Sequence, residues 1–348
     1  MPYKLTPEEA LQISLSFDID GLSYVYWVEH CQLFSPSSPS TKAVEVIFKE
    51  TLSLKNKDGD LHSLFVRDGE KLTLYKTGEI TQLLNISVDG SAMVTIKSLL
   101  PDIDYHRQIS DKIIERFAAV RYYPLNNYED AESNLLIYGR DYNKALLSDF
   151  AKERSDLQTV YKIIRLHDEL PEKFGELRSL LGPNGLGLLS EISLSARDFG
   201  TEASDKKISI TDENTFIFLS FAPFGHDQGF GFGDLSFGTK RIISLFTSML
   251  YDHSVVCLIE QPEDGIHQGL LDKIIPLLKA YATYSQFIFT THSPAVLNRV
   301  EPDEVYLVSM EAGATHVRHL SDQEISAAEN YMRNDGPLAE FLESIEED

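Results

Sequence analysis

Two short apolar runs, about thirty residues apart, constrain this chain more than any other feature. Val255-Val256-Cys257-Leu258-Ile259 and Phe287-Ile288-Phe289 show no alternation of apolar and polar residues. A strand with one wet face alternates, whereas an unbroken apolar run suits a parallel sheet covered by helices on both sides. Helical spacing over 239–251 and 268–280 supplies the intervening helices, so an α/β order is expected from residue 239 onward. Each run ends in chemistry. The first gives way to Glu260-Gln261-Pro262-Glu263-Asp264 and the second to Thr290-Thr291-His292-Ser293-Pro294. Ligands of open α/β sheets bind at the carboxyl ends of the strands, which makes these residues the candidate site.

A third motif precedes them. Asp234-Leu235-Ser236-Phe237-Gly238-Thr239-Lys240-Arg241 reads as a Ser-Gly turn opening a helix. The first amides of a helix lack partners and its dipole is positive there, so a helix start can hold an anion. Ser236 adds a hydroxyl, and Gly238 permits close approach to the backbone. The same residues also fit an ordinary serine N-cap.

Upstream the pattern changes. Leu11, Ile13, Leu15, Phe17 and Ile19 alternate with polar residues, Asp18-Ile19-Asp20-Gly21 turns the chain, and Leu22, Tyr24, Tyr26 and Val28 alternate on the return. Strands are expected again at 44–54, 61–66 and 71–75, with Asp58-Gly59 and Asp68-Gly69 as turns, giving an antiparallel meander. Residues 34–41, with two prolines and no period, read as a surface loop. Helices are expected over 110–119, followed by the aromatic Val120-Arg121-Tyr122-Tyr123-Pro124, and over 142–167. A hairpin is expected with strands at 208–210 and 215–221, and shorter strands at 305–308 and 316–319. No heptad run is long enough for an extended coiled coil.

The formal net charge of -23 repels a phosphate backbone over most of the surface. Nucleic-acid contact would need a local basic patch, and the sequence offers only scattered Lys-Arg pairs. Cys31 and Cys257 are the only cysteines and read as reduced structural thiols. His316 and His319 have no acid or cysteine at ligand spacing, which argues against zinc. No signal peptide and no apolar run of about 18 residues appears, so a cytoplasmic protein with no membrane partner is expected.

In their order and spacing the three motifs resemble the second half of an ABC-type ATPase head, of the RecF-like and SMC-like kind found in AAA-family ATPases. Pro337-Leu338-Ala339-Glu340-Phe341-Leu342 resembles the closing segment of such a head. The resemblance covers nearly the whole chain. It implies an α/β fold, a P-loop NTPase head of ABC type with an antiparallel β subdomain and a helical subdomain. The implied division is 1–100 for the β meander, 101–205 for the helical subdomain, 206–320 for the core with signature, Walker B and switch motifs, and 321–348 for the tail. It implies ATP and Mg²⁺ as cofactors, bound between two heads of a homodimer. Leu235, Ser236, Phe237 and Gly238 then form the signature that caps the nucleotide of a second protomer. Glu260 stands on the metal side, acting on Mg²⁺ through its water, and His292 is the switch histidine at the γ-phosphate. Asp264 and Gly265 fall in the segment that crosses the dimer interface.

Two departures qualify what the resemblance implies. Gln261 stands where the family has the glutamate that polarises the attacking water; an amide orients water but accepts no proton, so hydrolysis is slow or Glu263 or Asp264 substitutes. The P-loop is missing as well. Gly182-Pro183-Asn184-Gly185-Leu186-Gly187 has the glycines of such a loop, but Leu188 and Leu189 occupy the lysine and hydroxyl positions. A strand, P-loop and helix need about 30 residues, and their absence fits a truncated product, a chain that pairs with a separate P-loop-bearing protein, or a degenerate head kept for binding. Without that strand the parallel sheet is expected to expose apolar edges. Two functions follow: an ATP-hydrolysing head that drives or licenses a separate effector, as in DNA repair or phage defence, or a non-hydrolysing interaction or regulatory protein.

Overall fold

The computed structural model of the chain describes residues 11–34, 43–86, 91–99, 104–123, 136–147, 155–198, 215–226, 228–283, 285–311 and 314–346. It divides into two compact units, Met1–Ala118 and Ala119–Asp348. The expected loop at 34–41, beyond its first residue, and the expected strand at 208–210 lie outside the described residues.

In the first unit six strands form one antiparallel sheet in chain order: β1 (Leu11–Ile19), β2 (Leu22–Phe34), β3 (Ala43–Lys55), β4 (Leu61–Asp68), β5 (Lys71–Lys76) and β6 (Glu79–Asn85). The meander is as expected, with one strand more. β6 escapes the sequence pattern because its apolar residues Ile80 and Leu83 are exposed, so it lacks a clean apolar face. Helices α1 (Ala92–Leu99) and α2 (Asp104–Ala118) close a core of Leu52, Phe65, Leu72, Leu74, Ile96 and Ile113. A buried carboxylate starts α1. Glu50 accepts from the Ala92 amide at 2.6 Å, the Ser91 hydroxyl at 2.8 Å and the Tyr26 hydroxyl at 3.0 Å, with the Arg67 guanidinium 3.8 Å away. Both charges are fully buried, and the helix amides and hydroxyls supply what water no longer does. Burial and the neighbouring Glu50 carboxylate push the Tyr26 phenol up.

The second unit begins with a strand that the sequence reading misses, β7 (Val120–Tyr123). Beyond β8 (Leu136–Tyr138) come α3 (Gly139–Leu147), α4 (Ser155–Glu169) and α5 (Pro171–Leu181), so the stripe expected over 142–167 belongs to two helices. β9 (Leu189–Asp198) and β10 (Thr215–Pro223) follow, and β8-β10-β9 form a small antiparallel sheet. The glycine-rich stretch at 182–187 is the turn from α5 to β9. Its amides close the helix end: Leu186 donates to the Leu180 carbonyl at 2.8 Å and Leu188 to the Leu181 carbonyl at 3.0 Å. Amides spent on carbonyls at a helix C-terminus make no phosphate cradle, in agreement with the missing lysine.

The remainder is α/β. α6 (Phe237–Asp252) leads to β11 (Val256–Glu260), then α7 (Gln268–Tyr281), β12 (Gln286–Thr290) and the short α8 (Pro294–Leu297). β7, β11 and β12 make a parallel sheet in the order β12-β11-β7. α6 is buried nearly all round, with Ile242, Ile243, Leu245 and Phe246 in the same core as Cys257 and Ile259. Burial pushes the Cys257 thiol up to about 11, which keeps it protonated and unreactive. A hairpin of β13 (Tyr306–Glu311) and β14 (Ala314–His319) and helices α9 (Asp322–Asn334) and α10 (Leu338–Glu346) end the unit. Among the described residues no helix is long and apolar enough to cross a membrane.

Candidate functional site

The parallel register brings the strand ends level. Glu260 pairs with Thr290 and Ile259 with Tyr123, so the chemistry-bearing turns after β11 and β12 leave one edge side by side. β7 is held there by tertiary contacts: the Val255 amide donates to the Ala119 carbonyl at 2.9 Å, and the buried Tyr123 hydroxyl meets Ser254 Oγ at 2.7 Å and Asp252 at 3.3 Å. Burial, then the Asp252 carboxylate, pushes the Tyr123 phenol up.

At the end of β11 the backbone turns sharply. Gln261 has φ +44°, a left-handed conformation that non-glycine residues adopt at a cost of about 1–3 kcal/mol. Three hydrogen bonds hold it. Its amide donates to the Thr290 carbonyl at 2.8 Å, and its carbonyl accepts from the Asp264 amide at 3.1 Å and from Arg241 Nη2 at 2.8 Å. Arg241 is 1% exposed, lies 5.5 Å from the Phe237 ring centre and 3.8 Å from the Asp264 carboxylate. The start of α6 and the acidic turn are thus joined through one guanidinium.

They are joined a second time through glycines. A Cβ on Gly238 would stand 2.2 Å from the Gly265 carbonyl oxygen, and one on Gly265, at φ +67°, would stand 2.5 Å from Phe237 Cδ1. What comes close to Gly238 within this chain is therefore the neighbouring turn. Ser236 is the N-cap of α6, accepting from the Thr239 amide at 3.3 Å and sharing a hydrogen bond with the Thr239 hydroxyl at 2.8 Å. Leu235 is buried and Phe237 packs on the core.

Glu260 is exposed and accepts from the Tyr122 hydroxyl at 2.6 Å, a bond that raises the Tyr122 phenol above its ordinary value. Glu263 reaches across to the other turn, where Thr291 Oγ1 donates to its Oε1 at 2.8 Å. The same threonine oxygen accepts from the Ser293 amide at 3.0 Å, fixing the turn that carries the exposed His292. Glu263 Oε2 is buried with no hydrogen-bond partner, an orphan that asks for a donor or a cation. All three motifs therefore meet at one edge: Phe237 and Gly238 against Gly265, Gln261 and Asp264 through Arg241, and the turn of His292 through Thr291 and Glu263. Sequence reasoning missed Tyr122, Arg241 and Thr291. The aromatic run at 120–124 and the motif position of Arg241 were visible, but neither announces a contact.

Arg241→Ala is expected to cost about 1.5 kcal/mol, the range of a hydrogen bond from a charged donor with its desolvation partly relieved. Urea unfolding followed by tryptophan-independent circular dichroism reads the shift, and Arg241→Lys should not restore it, because a lysine cannot span the Gln261 carbonyl and Phe237 together. Unchanged stability would mean the guanidinium does not hold the turn.

A parallel sheet with helices packed on one face, and acids and a histidine on its carboxyl edge, has the arrangement in which α/β proteins hold their ligands. Residues 52–298 match the family described as "AAA domain, putative AbiEii toxin, Type IV TA system", and the chain belongs to that AAA family. No curated protein matches the chain. Among solved structures it is similar to an SMC head bound to the C-winged helix domain of ScpA, at 11% identity over 87% of this chain and 76% of that one, TM-score 0.39. The SMC head domain from Thermotoga maritima matches at 13% identity over 86% and 75%, TM-score 0.33. An Smc head domain with an extended coiled coil, bound to the C-terminal domain of ScpA derived from Pyrococcus furiosus, matches at 13% over 89% and 80%, TM-score 0.34.

Proposed function

We propose that this chain is the head of an ABC-type ATPase, binding MgATP between two copies and using the bound state to drive or license a partner protein. The observation that carries the reading is the meeting of the three motifs on one sheet edge, each tied to the next by a named contact. Glu260 acts on the metal side, Gln261 positions water, His292 contacts the γ-phosphate, and Ser236 with Gly238 faces the nucleotide of the second copy. Mg²⁺ binds through one or two carboxylates together with waters and phosphates, and it would neutralise phosphate charge there. The donor set fits that mode. Among the described residues no group of three or more His, Cys, Asp or Glu could hold a metal alone, so Glu260 would share the ion with the nucleotide. The orphaned Oε2 of Glu263 marks the same edge as ready for a donor or cation.

A second reading is favoured by one residue. Gln261 cannot accept a proton, and a head that binds nucleotide without hydrolysis would serve as an interaction protein. The two are separated by thermal unfolding of the purified chain with and without millimolar MgATP, read beside phosphate release. Nucleotide that binds only the folded state raises the melting temperature. Stabilisation with phosphate release that His292→Ala removes supports the ATPase. Stabilisation without release supports the second reading, and no stabilisation removes ATP binding by the chain alone.

A further inference from the structure

The three carboxylates at the end of β11 and in the turn after it have partners of different charge. Asp264 lies 3.8 Å from the Arg241 guanidinium, Glu263 accepts from the Thr291 hydroxyl at 2.8 Å, and Glu260 accepts from the Tyr122 hydroxyl at 2.6 Å. A guanidinium offsets the charge of a carboxylate, whereas a hydroxyl orients the group without adding a charge of its own. Glu260 is thus held by a donor that does not compete with a cation for it.

The register explains why Tyr122 is the residue that reaches it. In the parallel pair of β7 and β11, Tyr122 stands opposite Leu258 and Tyr123 opposite Ile259. Side chains alternate along a strand, so Tyr122 shares its face with Leu258 and Glu260, and its ring passes Leu258 to the strand end. Tyr123 points to the other face, where its hydroxyl meets Ser254 and Asp252. The buried neighbour fixes the strand, and the 53% exposed Tyr122 serves the edge. A glutamate has more rotamer freedom to lose than most side chains. At the exposed end of β11 that freedom must be given up whenever the carboxylate is used, and a partner that fixes it beforehand removes the cost from binding.

We propose that Tyr122 is a positioning residue: its hydroxyl holds the Glu260 carboxylate in the orientation that the Mg²⁺ of a bound nucleotide requires. The inference rests on the MgATP reading of this edge, and it assigns a role to a residue that lies outside all three motifs. Carboxylates that serve a metal are themselves hydrogen-bonded, and loss of such a partner costs about 10–100-fold in metal affinity.

The test sets Tyr122→Phe beside the parent chain in two titrations, ATP with excess Mg²⁺ and ATP with EDTA. Each is read as the rise in melting temperature of the full chain and converted to a dissociation constant. The ratio of the two constants is what the ion contributes. Tyr122→Phe is expected to weaken MgATP about tenfold and to leave metal-free ATP unchanged. Equal weakening in both titrations would mean that the phenol only supports the sheet, and that result overturns the inference. Constants identical to the parent's in both would overturn it too, while leaving ATP binding intact. A parent that binds ATP equally with and without the ion gives Glu260 no metal to meet and has the same consequence. A parent stabilised by neither form of ATP removes the nucleotide reading itself, and this inference with it. Tyr123→Phe is the control for a structural effect: its hydroxyl serves the buried contacts with Ser254 and Asp252, so it should lower the melting temperature without ligand and leave the ratio at the parent's value. Tyr122→Phe removes a single oxygen from an exposed ring, and circular dichroism checks that both variants fold.

Discussion

Replacing Gln261 by glutamate is expected to raise phosphate release from MgATP about a hundredfold, the low end of what a positioned general base contributes. The argument begins with the backbone. Gln261 already holds its left-handed conformation through bonds to Thr290, Asp264 and Arg241, and the exchange of an amide for a carboxylate changes neither shape nor those bonds. What changes is that a proton can be accepted. The new carboxylate would join Glu260 and Glu263 near one edge, and like charges raise a carboxyl pKa, which brings a base closer to its working range. The extra repulsion is offset in part by Arg241, 3.8 Å from Asp264. Phosphate release by the full chain at millimolar MgATP reads the effect, with Glu263→Gln beside it. An unchanged rate in the first variant and a lost rate in the second would place proton acceptance at Glu263. An increase in the first would leave Glu263 as the residue that fixes the His292 turn through Thr291.

The parts of this site that were legible in the sequence are those whose signal is local. β11 and β12 announce themselves as unalternating apolar runs, and the polar residues that end them mark the carboxyl edge. Ser236 is an N-cap by its residue type and position, and α6 begins where that cap predicts. β7 was not legible. It has four residues, one of them Arg121, and its place is set by Ser254, Asp252 and the residue before β11, more than 130 positions along the chain by the separation of Tyr123 and Ser254. With β7 went Tyr122, whose bond to Glu260 exists only because the two strands are neighbours. A buried arginine is equally silent in a sequence, since Arg241 has the composition of any helix surface until it is found under the Gln261 carbonyl. The runs did overstate one thing. Their lack of alternation implies cover on both faces, and among the described residues only the face that carries Cys257 and Ile259 is packed in the core, while Ile288 and Tyr122 on the other are exposed.

Gly238 shows the same limit from the other side, and the largest stability effect is expected at that position. By sequence alone Gly238→Ala should help, because alanine in a helix is favoured over glycine by about 1 kcal/mol. The structure reverses the sign. The new methyl would sit 2.2 Å from the Gly265 carbonyl oxygen, a backbone atom with no rotamer to escape into, and overpacking of this kind costs about 3 kcal/mol or more. A net loss of about 2–3 kcal/mol in urea unfolding is therefore expected. Gly265→Ala should be comparably harmful, since it combines a left-handed φ with a clash against Phe237. The double variant is the sharper measurement. If the two glycines form one interlock between the helix start and the acidic turn, the first substitution already forces that contact apart, and the second then costs less than it does alone. Additive losses would mean that each glycine answers to a different neighbour. A sub-additive pair, with hydrogen exchange quickened at 260–266 in either single variant, would establish that the packing of Gly238 on Gly265 sets the position of the carboxylates on which any chemistry at this edge depends.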